Sequence, residues 1–307
     1  MAAPGILLVD KPGGITSHDV VARARRALGT RKIGHAGTLD PMATGLLVLG
    51  VEGATRLLTF VVGLDKTYEA TIRLGVATTT DDADGEVVQA TDASSLEPAA
   101  IAARVAALTG RISQVPSTYS AIKVDGRRAY DLARAGEDVQ LKAREVTVSR
   151  FDVVAQRRLP AGPAGDPEKG GGVVDLDVVV DCSSGTYIRS LARDLGEALG
   201  VGGHLTALRR TRVGPFDVAA AAAVDGIADA PLLAPAAAAA AVLGRLEVTA
   251  DEARDLRHGK RLPGAAGRLR GAGPMAAVDP GGVLVGIVER RGDDVKSAMN
   301  MPEEAAG

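Results

Sequence analysis

Short apolar runs, each ended by glycine, proline or charge, divide most of this chain. Residues 6–9 (Ile-Leu-Leu-Val) read as a buried strand, closed by the turn Asp10-Lys11-Pro12-Gly13-Gly14. Thr16 or Ser17 then caps a helix to about residue 28, with Val20, Val21, Ala24 and Leu28 on one face. Leu46-Leu47-Val48-Leu49 reads as a buried strand or the start of a helix. Residues 67–74 alternate as a strand should, and 96–109 read as a helix with Pro98 near its start. Loop and strand are expected over 114–123, then a helix carrying Arg127, Arg128, Tyr130 and Arg134 to about Ala135, ended by Gly136. Strands at 146–154 and 173–180 flank a Gly-, Pro- and charge-rich loop at 157–172. Leu191, Leu195 and Leu199 predict a helix over 190–199. The segment before it reads as extended, with Tyr187 and Arg189 two apart on one face.

Beyond residue 219 the pattern changes. Residues 219–243 are alanine-rich, broken by Pro231 and Pro235 and interrupted by Asp225 and Asp229, which suits a helical connector and not a membrane helix. Residues 244–291 read as short strands separated by Gly and Pro, as in a small β-barrel or sandwich. The expected architecture is therefore α/β of the α+β kind. A mixed, largely antiparallel sheet with flanking helices spans 1–243, a small β module spans 244–291, and 292–307 is expected to be a disordered tail.

Composition narrows the chemistry. The 307 residues are 46% apolar, enough for a sizeable core, but aromatics make up only 2%, so the four tyrosines stand out. A net charge of -2 gives no global attraction for a polyanion, so any nucleic-acid surface must come from local patches. Two such patches exist: Arg23, Arg25, Arg26, Arg31 and Lys32 against Asp19, and six Lys or Arg between Arg254 and Arg270 against Asp255. Cys182 is alone, which excludes an internal disulfide framework and a cysteine zinc site. Asp81-Asp82-Ala83-Asp84-Gly85 mimics the start of a calcium loop, but Thr91 stands where the bidentate Glu should fall. Ser120 to Lys123 fits the S-x-x-K pattern of acyl-serine enzymes without its later partner motifs. The residue 6–9 run is too short for a signal peptide, so a soluble, cytoplasmic protein is expected.

The stretch Gly34-His35-Ala36-Gly37-Thr38-Leu39-Asp40-Pro41-Met42-Ala43-Thr44-Gly45 holds a single acid among small residues. Pro41 pushes Asp40 into an extended conformation. Two readings stand: a catalytic acid on a stiff loop at the edge of a core, or a turn whose Asp caps its own backbone.

Several motifs taken together resemble one family. Leu8 to Gly14, the Gly34 to Gly45 loop, Lys66-Thr67-Tyr68-Glu69-Ala70, Gln114 to Gly126, Cys182 to Gly196 and His204 to Gly214 follow the order of bacterial tRNA pseudouridine-55 synthases of the TruB type. The resemblance covers nearly the whole chain, with 157–172 as an insertion and a PUA-like RNA-binding barrel expected at the C-terminal end. It implies isomerisation of a T-loop uridine of tRNA to pseudouridine without cofactor or metal. It places the nucleophile on Asp40, attacking either the anomeric carbon of the sugar or carbon 6 of the uracil. It sets Arg189 against that carboxylate, where a cation lowers a carboxylate pKa and offsets desolvation. Tyr68 stacks on the target base, and His35 takes the place that the flipped base leaves in the RNA stack. Tyr187 and Leu208 wall the uracil pocket, and Lys11 supports the loop. Arg31, Lys32, Arg209 and Arg210 are read as phosphate contacts. The expected partner is the T-arm of tRNA, with no protein partner, no membrane and a monomer by default. The alternatives are an RNA-binding tRNA-folding helper with dispensable catalysis, or a related synthase acting on another RNA.

Overall fold

The computed structural model describes residues 2–117, the backbone at 123–124 and 127–128, and residues 141–160 and 171–302. Strand β1 (Gly5–Lys11) leads to helix α1 (Ser17–Ala27), strands β2 (Ile33–Ala36) and β3 (Thr44–Val51), and the short helix α2 (Leu58–Val62). Strands β4 (Lys66–Leu74), β5 (Val76–Thr78) and β6 (Val87–Ala90) precede helix α3 (Pro98–Ala107) and strand β7 (Gly110–Gln114). A two-residue hairpin, β8 (Lys123–Val124) and β9 (Arg127–Arg128), is followed by the long strands β10 (Arg144–Leu159) and β11 (Val173–Cys182). Then come helix α4 (Ile188–Ala198), strands β12 (Gly203–Val213), β13 (Phe216–Asp217) and β14 (Ala222–Ala223), and helix α5 (Pro235–Leu243). The chain ends with β15 (Arg245–Glu247), helix α6 (Ala250–Arg257), β16 (Met275–Val278), β17 (Leu284–Arg291) and β18 (Asp294–Asn300).

The chain forms two compact units: Met1–Pro41 with Gly45–Gly63 and Val213–Gly307, and Met42–Thr44 with Leu64–Arg212. In the first, β3 lies between β1 and β2, antiparallel to both, and β14 runs parallel to β1. Val20, Val21 and Ala24 of α1 pack with Leu7, Val9, Leu47 and Leu49 of these strands. Burying each Val or Leu contributes about 2 kcal/mol, which holds the helix where its intrinsic propensity would not. The C-terminal part of this unit is a sheet in the order β15-β16-β17-β18, with its own core of Leu246, Leu256, Leu262, Val285, Val288 and Val295. In the second unit β4, β11, β10 and β7 form an antiparallel run, with β12 on the other side of β4. Leu191 and Leu195 of α4 are fully buried. Among the described residues no helix is long and apolar enough to cross a membrane.

Several local expectations change. Arg127 and Arg128, expected on a helix, lie in the β8–β9 hairpin, and the rest of that expected helix falls outside the described residues. Residues 157–159 continue β10 instead of opening a loop, because β11 supplies partners as far as Leu159 opposite Val173. The alanine-rich connector is helical only over α5, which begins at Pro235; before it stand 3-10 turns and the strand β14. The C-terminal β module contains a helix, α6, started by a capping box in which Thr249 and Glu252 bond each other's backbone. The expected tail includes strand β18, because Gly292 at φ 65 turns the chain back and Val295 enters the core.

Candidate active site

In the first unit, the backbone on each side of Asp40 is fastened. The hydroxyl of Ser17, in the first turn of α1, accepts from the Leu39 N–H at 2.9 Å and donates to the Leu39 carbonyl at 3.1 Å. On the other side, the Pro41 carbonyl accepts from the Gly14 N–H at 2.9 Å and from the Lys11 ammonium at 3.2 Å. Lys11 is 0% exposed, and its ammonium also donates to the carbonyls of Pro12 at 2.9 Å and Ile15 at 2.8 Å. A buried ammonium is tolerable only with such partners, so the Lys-Pro-Gly-Gly turn and the acid-bearing loop are one construction. Leu39 is buried while Asp40 is half-buried, so the loop anchors its neighbours and presents its carboxylate.

His35 lies on β2 opposite Leu49, so the start of the Gly-rich stretch is strand and not loop. Its ring meets that of His18 on α1 edge to face, 5.5 Å apart at 85°. Arg31 and Lys32 are exposed, and the Lys32 ammonium lies 3.6 Å from the Glu52 carboxylate.

In the second unit Tyr68 is buried on β4, paired across to Val180 of β11. Leu208 is buried on β12, and its carbonyl accepts from the Thr44 hydroxyl at 3.4 Å. Arg209 is half-buried and donates to the same hydroxyl at 3.5 Å. Arg210 corrects an expectation. It is 1% exposed and cannot reach out to a solvent-borne phosphate. The strand period of two explains why: Leu208 and Arg210 face the interior together, and Arg209 faces the other way. Beside Arg210, burial lowers the Lys66 ammonium to about 8, and the Arg210 charge adds to the effect.

Tyr187 and Arg189 do not share an extended face, because α4 begins at Ile188. Tyr187 is the N-cap, and Gln114 clamps its backbone: the amide oxygen accepts from Tyr187 N–H at 2.8 Å, and the amide nitrogen donates to the Tyr187 carbonyl at 3.0 Å. Arg189, in the first turn, is 4% exposed. Its guanidinium donates to the Thr80 carbonyl at 2.9 Å and the Ser117 hydroxyl at 3.4 Å, and lies 3.4 Å from the Asp82 carboxylate. One turn on, Arg193 bonds the Val115 carbonyl at 2.7 Å and faces Asp81 at 3.4 Å. Burial raises the Asp81 carboxyl above the usual carboxylate range, opposed first by the Arg193 charge. The acidic turn that mimicked a calcium loop is thus an anchor for two arginines of α4. The sequence places Gln114 in a family motif and Asp82 in a calcium-like turn but shows neither their roles nor that of Ser17 as a clasp, since a polar residue carries no signal of the distant backbone it will meet.

Comparison with known proteins follows the same chain order. The N-terminal domain model of TruB family pseudouridylate synthases matches residues 25–188. The tRNA pseudouridylate synthase B C-terminal domain model matches 189–247, and a C-terminal model of tRNA pseudouridine synthase II matches 243–302. The tRNA pseudouridine synthase B of Leifsonia xyli subsp. xyli is 54% identical over 308 aligned positions, covering 99% of this chain and 98% of the relative. That of an Arthrobacter species is also 54% identical, over 96% of this chain and 95% of the relative. A chain in the structure of an H/ACA ribonucleoprotein bound to a substrate RNA containing 2′-deoxyuridine shares the fold. Its TM-score is 0.69 at 24% identity, covering 98% of this chain and 86% of that one.

Proposed function

Because the chain belongs to the TruB family of pseudouridylate synthases, we propose that it isomerises a uridine of tRNA to pseudouridine, the target being the T-loop uridine at position 55. The carrying observation is likeness over nearly the whole chain to enzymes named for that reaction. The bond from uracil nitrogen 1 to the sugar breaks, the base rotates, and carbon 5 bonds the sugar in its place. Nitrogen 1 gains a proton and carbon 5 loses one to water.

Asp40 is the proposed nucleophile, attacking the anomeric carbon or carbon 6 of the uracil. Fixing Leu39 and Pro41 removes freedom that attack would otherwise have to overcome, which supports this role for a residue between them. The resemblance to the family gives Arg189 the part of the cation that balances the nucleophile's charge, and Tyr68 gives the flipped base a stacking surface bordered by Leu208 and Tyr187. A neutral phenol is a poor base, so stacking is the role assigned to Tyr68. His35 fills the gap in the RNA stack, offsetting the few kcal/mol that extruding a base costs.

The test is a T-arm hairpin tritiated at carbon 5 of uridine, with wild type and Asp40→Asn. Tritium release by wild type alone, at equal RNA binding, supports both reaction and nucleophile. No release by wild type with RNA still bound overturns the enzyme reading for this substrate and favours a tRNA-folding helper. Release by both proteins overturns the choice of Asp40.

A further inference from the structure

Three arginines from two segments meet in one surface notch. Ala22, Arg25 and Arg26 of α1 line it together with Gly29, Thr30 and Arg31, and it is a shallow depression wide open to solvent. Ala22, Arg25 and Arg26 follow the i, i+3, i+4 spacing of one helix face, opposite the side that buries Val20, Val21 and Ala24, and Gly29 follows just past the helix end. Gly29, at φ 62, turns the chain so that Arg31 closes the notch.

The neighbouring acids are engaged elsewhere. Asp19 accepts from the Thr16 N–H and hydroxyl, Glu52 takes both Lys32 and the Thr30 hydroxyl, and Asp225, exposed to solvent, has Arg23 as its nearest cation at 3.8 Å. Among the described residues, no acid lies within ion-pair distance of Arg25, Arg26 or Arg31. Gathering three exposed guanidinium groups in one concavity without a counter-charge is unfavourable by itself. The negative end of the α1 dipole offsets part of this for Arg25 and Arg26, but not for Arg31 beyond the helix.

We propose that the notch is a seat for two successive phosphates of the RNA backbone, an interaction surface that rests on the tRNA reading above. Arg26 and Arg31 donate to phosphate oxygens through their planar guanidinium groups. Arg25 shapes the wall, since its guanidinium already donates to the Ile33 carbonyl at 2.9 Å. Lys32, whose charge Glu52 takes, is the lesser contact.

The test compares Arg26→Gln/Arg31→Gln with wild type and with a charge-matched control, Arg111→Gln/Arg291→Gln, whose arginines pair with Glu145 and Glu289. Binding of a T-arm hairpin is measured across potassium chloride concentrations, with tritium release at saturating RNA and the thermal midpoint of each protein. The expected result for the notch variant is a salt slope smaller by about two units and affinity lower by on the order of 10- to 100-fold near 0.1 M salt. The control keeps the wild-type slope and the wild-type rate of tritium release. An unchanged slope in the notch variant overturns the proposal, and with a lowered midpoint it assigns the arginines to the helix dipole. An equal change in the control also overturns it, in favour of diffuse charge. Binding without tritium release by wild type strikes the functional reading alone, and the slopes still decide the notch.

Discussion

Two buried lysines of this chain live in different surroundings. Lys11 points its ammonium at the carbonyls of Pro12, Ile15 and Pro41, where it serves as a cross-link. Lys66 has the Leu64 carbonyl but also the charge of Arg210 close by, and burial lowers it from 10.5 to about 8. Between those two values the folded protein binds fewer protons than the unfolded chain, so raising the pH through this window favours folding. The Lys66 share, read as the stability of wild type minus that of Lys66→Met in denaturant titrations, is therefore expected to rise between pH 8 and 10.5. The Cys182 thiol, raised by burial from 9.0 to about 11, works in the opposite direction above pH 9 in both proteins. Arg189 gives a second expectation at this scale. With Asp82→Asn it keeps the Thr80 carbonyl but loses a nearly buried counter-charge. Breaking such a pair costs on the order of 3 kcal/mol. Turnover should fall with little change in RNA affinity, since the altered group lies in the protein interior, and a comparison of kcat with Kd checks it.

At the scale of elements, α1 and α4 each do two jobs. The buried stripe of α1 completes a core, while Ser17 at its start holds the Leu39 backbone. Ser17→Ala removes both bonds and leaves a buried N–H and carbonyl unsatisfied, which costs about 2 kcal/mol. Its thermal midpoint should drop and its kcat fall more than its KM rises, because the loop then samples more conformations. Helix α4 rests on Gly196, where an added Cβ would lie 2.2 Å from the Gly202 and Gly203 backbone. Gly196→Ala should therefore destabilise by about 3 kcal/mol, as backbone and not a flexible side chain stands in the way. Equilibrium unfolding in urea reads this directly. The helix α6 shows how far an element could be read in advance: Thr249 and Glu252 spell a capping box in the sequence, yet the surrounding Gly and Pro favoured strands.

For the whole molecule, a net charge of -2 means that RNA is met through patches and not through overall attraction. Raising monovalent salt from about 50 to about 200 mM should lower kcat/KM steeply while leaving kcat nearly constant, because screening acts on encounter and phosphate contacts. Steady-state kinetics on the T-arm hairpin at several salt concentrations would reveal it. Asp40, Lys11 and His35 belong to one unit, and Tyr68, Arg189 and Leu208 belong to the other. That division follows no single break in the sequence, since the chain leaves the first unit after Pro41, re-enters it at Gly45, leaves again after Gly63 and returns at Val213.

The amino-acid order alone determined which segments become strands and helices wherever an apolar period was long, as in β1, α1, β4, β10, β11 and α4. It also determined the family, because several motifs recur in one order and their residues are adjacent in the chain. Tertiary structure decided what each polar side chain meets. Arg209 and Arg210 are equal in composition, but the register of β12 turns one outward and buries the other. Gln114 and Tyr187 lie 73 positions apart, and Arg189 and Thr80 lie 109 apart. Hydrogen bonds and ion pairs depend on distances of a few ångströms, whereas hydrophobic periodicity records only which face is buried. The first kind of information exists only once the chain has folded.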